Sequence, residues 1–195
     1  SAFAYLGNTN VSTYRNNYEL KSDNSTNAYE RLINAIYVLH NTPTNSFRDR
    51  VEDVFAVDSW LWFLGIEIIF ADDDSYWNKG ADYAFYYEPE TGRIHPVQHD
   101  GNEAFVVGDA QLSPVTGATA ANRPLLYKFL PVPELRQRYL AHVPTVLEES
   151  FHPDKLTSEI NDLHALSIAA IIADTNKNYT MTAYTNDLVA LRRFV

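Results

Sequence analysis

The sequence predicts a mainly helical α+β domain with one small β-hairpin near its centre. Three observations carry this. Helical periodicity recurs before residue 70 and again after residue 133. Two short extended segments between them, "YAFYY" and "RIHPVQ", flank a turn-forming "EPETG". The chain has 195 residues and is 46% apolar, enough for one domain with a sizeable core.

In chain order, "NAYERLINAIYVL" places Tyr29, Leu32, Ile33, Ile36 and Tyr37 on one helical face, and "SDNST" before it offers N-cap residues. "VDSWLWFLGIEIIF" is apolar almost all round and reads as a buried helix through Phe70, capped by Asp58 or Ser59. Its Trp60, Trp62, Phe63 and Phe70 suit packing rather than a cofactor box. Strands from Tyr83 and Arg93 then form the hairpin, with Glu88 to Gly92 as its turn. Pro133 opens a helix carrying Leu135, Tyr139, Leu140, Val143 and Leu147, which Pro144 should kink or interrupt. "LTSEINDLHALSIAAII" sets Ile160, Leu163, Ser167 and Ile171 on one face, with Thr157 or Ser158 as cap. "YTNDLVALRRFV" starts a last helix. The alternation of helices with a lone hairpin gives the α+β class.

Composition narrows the chemistry. Fifteen Lys and Arg against 25 Asp and Glu give a formal charge of -10, which argues against a broad nucleic-acid or anionic-membrane surface and fits a protein that holds cations. Without cysteine there is no disulfide, zinc-thiolate site or thiol catalysis. No apolar run reaches the ~18–20 residues of a membrane span. The histidines lack metal-ligand spacing, and the serines lack a nucleophile-elbow context.

The most informative stretch is "FLGIEIIFADDDSYW". Asp72, Asp73 and Asp74 follow directly on the apolar helix, Asp82 opens the hairpin and Asp100 follows its far strand. A hairpin returns the chain to its starting point, so these carboxylates should gather on one rim. Carboxylates ~4 Å apart repel by about 4 kcal/mol at an effective dielectric of 20, so the cluster calls for a cation. Magnesium takes oxygen ligands, commonly one or two carboxylates plus substrate phosphates. Asp72 is expected to face solvent or cap the helix, and Asp74 and Asp100 to face each other across a cleft. A calcium site that only stiffens the loop is the simpler alternative.

The block "DSYWNKGADYAFYYEPETGRIHPVQHDGNEAF" resembles the CotH kinase family, the spore-coat-protein-H-like atypical kinases. That family has an Asp-Ser/Gly-Tyr element after a buried helix, an aromatic strand, an Asp-Pro-x-Thr-Gly-like turn and a Trp-Asp-x-Asp-x-x-Phe element. "YELK", "VEDVFAVDSWLWFLGIEII", "NRPLLYKFLPVPELRQRYL" and "ADTNKNYTMTAYTNDLVALRRFV" match in order along almost the whole chain. The resemblance implies a protein-kinase-like C-terminal lobe that uses ATP and Mg²⁺ to phosphorylate Ser or Thr of a protein. It makes Asp74 the catalytic carboxylate and Asp100 the metal-binding one, with Asn102 and Asp82 assisting. Trp77, which follows the Asp-Ser-Tyr element, and His99 are the candidates to contact the nucleotide, although Trp77 serves as well to pack the rim and His99 to shape the loop.

Three positions depart from the pattern: Asp82 replaces Asn, His99 replaces Trp and Asn102 replaces the second Asp. The seven glycines include no Gly-rich phosphate loop. The expectation is therefore a single C-lobe domain over 1–195, a fragment whose nucleotide-covering lobe lies upstream in cis or on a separate chain. The alternative is a pseudokinase-like structural or interaction module of a coat, cell-surface or secreted assembly. Resemblance points to the spore coat, cell surface or secretion as location, and to a protein substrate or assembly partner.

Overall fold

A computed structural model describes residues 2–22 and 27–195. It is 55% helical with one two-stranded antiparallel sheet, a mainly helical α+β, kinase-like lobe. Helices α1 (Val11–Arg15), α2 (Ala28–Asn41), α3 (Thr44–Glu52) and α4 (Val57–Ile69) precede strands β1 (Tyr83–Glu88) and β2 (Arg93–Gln98). Two 3₁₀ turns, Gly101–Glu103 and Val107–Asp109, lead to α5 (Pro124–Phe129), α6 (Pro133–Glu149), α7 (Pro153–Ala173) and α8 (Met181–Phe194).

Helix α4 forms the spine. Its apolar surface has no polar side wide enough to face water, so Trp60, Leu61, Phe63, Leu64 and Ile68 are all buried. Asp58 lies in its first turn rather than at the cap, which falls on Ala56. The Trp60 indole N–H donates to Ile94 O at 2.8 Å, pinning the helix to β2. The hairpin pairs Tyr83 with Gln98 through Glu88 with Arg93, and Gly92 N closes the turn on Glu88 O at 2.9 Å. Gly92 holds φ +74, a conformation open to glycine at little cost. Phe55 bridges to Ile94, so residues 54 to 56 run along β2.

Phe3 is fully buried and is an aromatic hub. Its ring lies 5.2 to 5.7 Å from those of Phe55, Trp60, Tyr83 and Phe85. In α2, Leu32, Ile33 and Ile36 are buried as the period requires, but Tyr37 is 48% exposed and Leu39 takes the inner position. The N-cap of α2 is Asn27; of the "SDNST" segment, residues 23–26 lie outside the described residues.

Three expectations are corrected. Helix α6 continues through Pro144, which sits on the exposed side where water can take the carbonyl it leaves unbonded. Leu140 and Leu147 are 37% and 43% exposed, so only Leu135, Tyr139 and Val143 of that face reach the core. Helix α7 begins a turn earlier than its Thr157 and Ser158 suggest. The His152 ring Nδ1 accepts the Asp154 N–H at 3.3 Å, and Pro153 opens the helix.

Arg138 joins α6 to α3 and α4, with Nη1 2.7 Å from Glu52 Oε1 and Nη2 3.0 Å from Asp58 Oδ1. His142 adds a 3.0 Å contact to Asp58 and stacks on Trp62 at 3.9 Å. Burial pushes the Asp58 carboxyl up, but these hydrogen bonds outweigh it and hold the group below its usual range.

Candidate functional site

The site grows from the end of α4. Phe70 caps that helix, and Ala71 turns the chain with φ +46. The loop after the hairpin then closes over this turn. Phe105 N donates to Phe70 O at 2.6 Å, and Asp73 N donates to Glu103 O at 3.2 Å.

That closure decides the fate of Asp72. Of the two parts expected of it, facing solvent or capping the helix, the first is ruled out, because Asp72 is 2% exposed. Its N–H donates to Glu67 O at 3.2 Å, and its Oδ1 accepts the Asp74 N–H at 3.3 Å. A carboxylate accepting the N–H two residues on is an Asx turn, and it sets the direction of Asp74. Gly101 approaches from the other side: a Cβ there would lie 3.9 Å from Asp72 Oδ2. Burial raises the Asp72 pKa; the Asp74 N–H opposes this, and Asp82, Asp74 and Glu103 add to it. Asp72 therefore holds the Asp74 turn and lies against the loop that begins at Asp100.

Glu67 lies beneath. It is 2% exposed on α4, its Oε2 accepts the Tyr76 N–H at 3.1 Å, and its Oε1 is buried with no hydrogen-bond partner among the described residues. Burial first, and Asp72 second, push its carboxyl up to about 9, against the pull of the Tyr76 N–H. At neutral pH Glu67 carries its proton. Tyr76 is fully buried, donating to Ala2 O at 3.1 Å and accepting from Leu125 N at 2.9 Å, so the Asp-Ser-Tyr element is anchored to three distant segments.

Asp74, the expected catalytic carboxylate, is partly exposed, and its Oδ1 lies 3.2 Å from Lys79 Nζ. Asp82 and Asp100 both have left-handed backbone, with φ +43 and +52. In the orientation that satisfies its neighbours, the Asn102 amide nitrogen donates to Asp100 O at 3.2 Å and to Asp100 Oδ1 at 2.9 Å. His99 and Asp100 are exposed. Trp77 packs in the core at 8% exposure; its carbonyl accepts Arg123 Nε at 3.1 Å, and its indole nitrogen is buried without a partner among the described residues.

Among the described residues no group of three or more His, Asp and Glu is placed to hold a metal by itself. The residues that the sequence marks for metal binding, Asp100, Asp82 and Asn102, offer only hard oxygen donors. That chemistry fits a magnesium ion bound by one or two protein carboxylates and completed by nucleotide phosphates, not an all-protein cage.

Sequence reasoning passed over Glu67 and Lys79, and it gave Asp72 only a solvent-facing or helix-capping part. Glu67 was signalled as a lone carboxyl inside "IEIIF", and Lys79 as a cation one turn beyond Asp74.

A kinase-like lobe whose buried central helix runs into an anchored Asp-Ser-Tyr turn defines the class of the protein. The family model described as CotH kinase protein matches residues 2–195, and the chain belongs to that family. A search of curated proteins returned no match. Membership indicates an atypical kinase-like function. No described helix is long and apolar enough to cross a membrane.

Proposed function

We propose that this lobe catalyses Mg²⁺-dependent phosphoryl transfer from ATP to a Ser or Thr hydroxyl of a protein. The observation that carries the reading is the presentation of Asp74. Its backbone is held by the Asx turn on buried Asp72, while its carboxylate stays accessible. Such a group can accept the proton of an acceptor hydroxyl, and pre-set orientation is most of what this chemistry asks of protein. Asp100, with Asp82 and Asn102, would hold magnesium, which supplies charge neutralisation on the phosphates when bound. Exposed His99 is available to the nucleotide, and Trp77 supports the turn from within. A nucleotide-covering lobe, in cis or on a separate chain, completes the enzyme, since these 195 residues contain no Gly-rich phosphate loop. Family membership favours a protein substrate in a spore coat, cell surface or secreted assembly.

Asp74→Asn tests the reading. Removal of a general base costs typically 10²- to 10⁴-fold in rate, so labelled phosphate incorporation should fall by at least 100-fold while nucleotide binding persists. Equal incorporation by wild type and variant would remove Asp74 from this role.

One observation favours a second reading, a non-catalytic assembly module. The Asn102 amide nitrogen donates to Asp100 Oδ1, so one oxygen of the expected metal-binding carboxylate is already engaged within the loop. Full-length protein that gives no heat with ATP and magnesium would support the module. A melting shift with calcium but none with ATP would instead identify a loop-stiffening calcium site.

A further inference from the structure

Asp74 already has a cationic partner. Lys79 Nζ lies 3.2 Å from Asp74 Oδ1 and 3.9 Å from Asp73 Oδ2, with its side chain 47% exposed. The backbone puts it there. Lys79 N and Gly80 N both donate to Ser75 O, at 3.1 and 3.0 Å, and Asn78 Nδ2 donates to Asp73 O at 2.9 Å. This single turn carries residue 79 back over residue 74. Gly80 locks its end: it holds φ +68, and a Cβ there would come within 2.8 Å of Ala2 Cβ.

The surroundings are hostile to an anion. Asp74, Glu103 and Asp73 are the acids whose charge bears on Lys79, and the chain carries a formal charge of -10. A polyphosphate reaching Asp74 needs a protein cation beside that carboxylate. Arg123 is committed elsewhere, donating to Trp77 O and to Asn122 O. Lys79 is a mobile point charge with three donors, well suited to exchange one oxygen partner for another.

We propose that Lys79 is a phosphate-binding residue of this site, paired with Asp74 at rest and transferred to a phosphoryl oxygen when a polyphosphate binds. Its part in catalysis rests on the phosphoryl-transfer reading of the same site. The exchange frees Asp74 to take the proton of the acceptor hydroxyl. The hydroxyl oxygen bonds to the γ-phosphorus as the bond to the β,γ-bridging oxygen breaks, and that oxygen leaves with the electron pair on ADP. Lys79 keeps its protons throughout and only changes hydrogen-bond partner.

The test uses full-length protein, with Lys79→Gln and Lys79→Arg compared by calorimetry with magnesium present. The probes are ATP, inorganic tripolyphosphate and adenosine. Lys79→Gln should weaken ATP and tripolyphosphate by about tenfold and leave adenosine unchanged, while Lys79→Arg restores most of the loss. Loss of a surface ion pair alone would not separate tripolyphosphate from adenosine. Wild-type affinity for both phosphate probes in Lys79→Gln overturns the proposal, whatever the transfer assay shows. If phosphate binding depends on Lys79 but Asp74→Asn transfers as well as wild type, the lysine site stands and the transfer reading falls. Wild-type protein that binds neither phosphate probe overturns both.

Discussion

Helices α4 and α7 are both rich in apolar residues, yet they meet opposite fates. Helix α4 buries Trp60, Leu61, Phe63, Leu64 and Ile68, and even a carboxyl group at Glu67. Helix α7 is longer, at 21 residues, and none of its residues is buried. Leu163, Leu166 and Ile172 on it are 63%, 82% and 62% exposed. The difference lies in what surrounds each helix. Helix α4 is enclosed by the hairpin, by α6 and by the Phe3 segment, whereas α7 packs chiefly along α8. Pairing there is light: His164 Nδ1 meets the Tyr184 hydroxyl at 2.8 Å, and Arg192 donates to Asn161 Oδ1 at 2.7 Å. Apolar composition favours burial, but only neighbouring surface can supply it.

Substitutions in the two helices should separate them, most strongly at Trp60. Its ring is fully buried, within 6.2 Å of those of Phe3, Phe55, Phe63 and Tyr83. Trp60→Ala should destabilise by about 3–5 kcal/mol, read as a lower urea midpoint. Ile94 O keeps the Ala56 N–H at 3.0 Å after the indole is lost, so the cost is mainly cavity and lost contacts. A loss no larger than that of a surface substitution would mean that α4 is not the spine.

Glu67→Gln has the next largest effect, and it depends on pH. The unfolded chain releases the Glu67 proton near 4.5, whereas the folded protein holds it to about 9. Across that window the unfolded state binds fewer protons, so wild-type stability falls as pH rises. The contribution is complete below the unfolded pKa and has gone once pH passes the folded one. Glutamine preserves an acceptor for the Tyr76 N–H and cannot ionise. Its stability relative to wild type should rise steadily from pH 5 to pH 9, reaching on the order of a few kcal/mol. Parallel melting curves across this range would show that Glu67 is not held protonated.

The smallest effect belongs to α7. Leu166 is 82% exposed, so Leu166→Gln should change stability by no more than about 0.5 kcal/mol. A melting temperature that fell with Leu166→Gln and also depended on protein concentration would show that this face is covered in solution.

Much of this architecture was legible in the residues. The 3.6-residue period marks α2, α6 and α7, the all-round apolar run marks α4, and the aromatic strands around "EPETG" mark the hairpin, because these preferences are local. The Asp-Ser-Tyr element and its flanking blocks led to the family that the match over residues 2–195 then established. The environment of the acids was not legible. Asp72 and Asp74 are chemically identical and two positions apart, yet one is buried and the other reaches outward.

The sequence by itself determined the helices α2, α4, α6, α7 and α8 and the hairpin, and that an acidic turn follows the most apolar helix, whereas the short helices α1, α3 and α5 were not legible in it. Only the tertiary structure decided that Asp72 is enclosed, that Glu67 keeps its proton, that Lys79 rests on Asp74, that α6 passes through Pro144 and that α7 stays uncovered. Backbone preference arises between near neighbours in the chain, whereas burial and charge pairing arise where distant segments meet. Asp72 is enclosed because Phe105 and Glu103, some thirty residues on, bond back to Phe70 and Asp73.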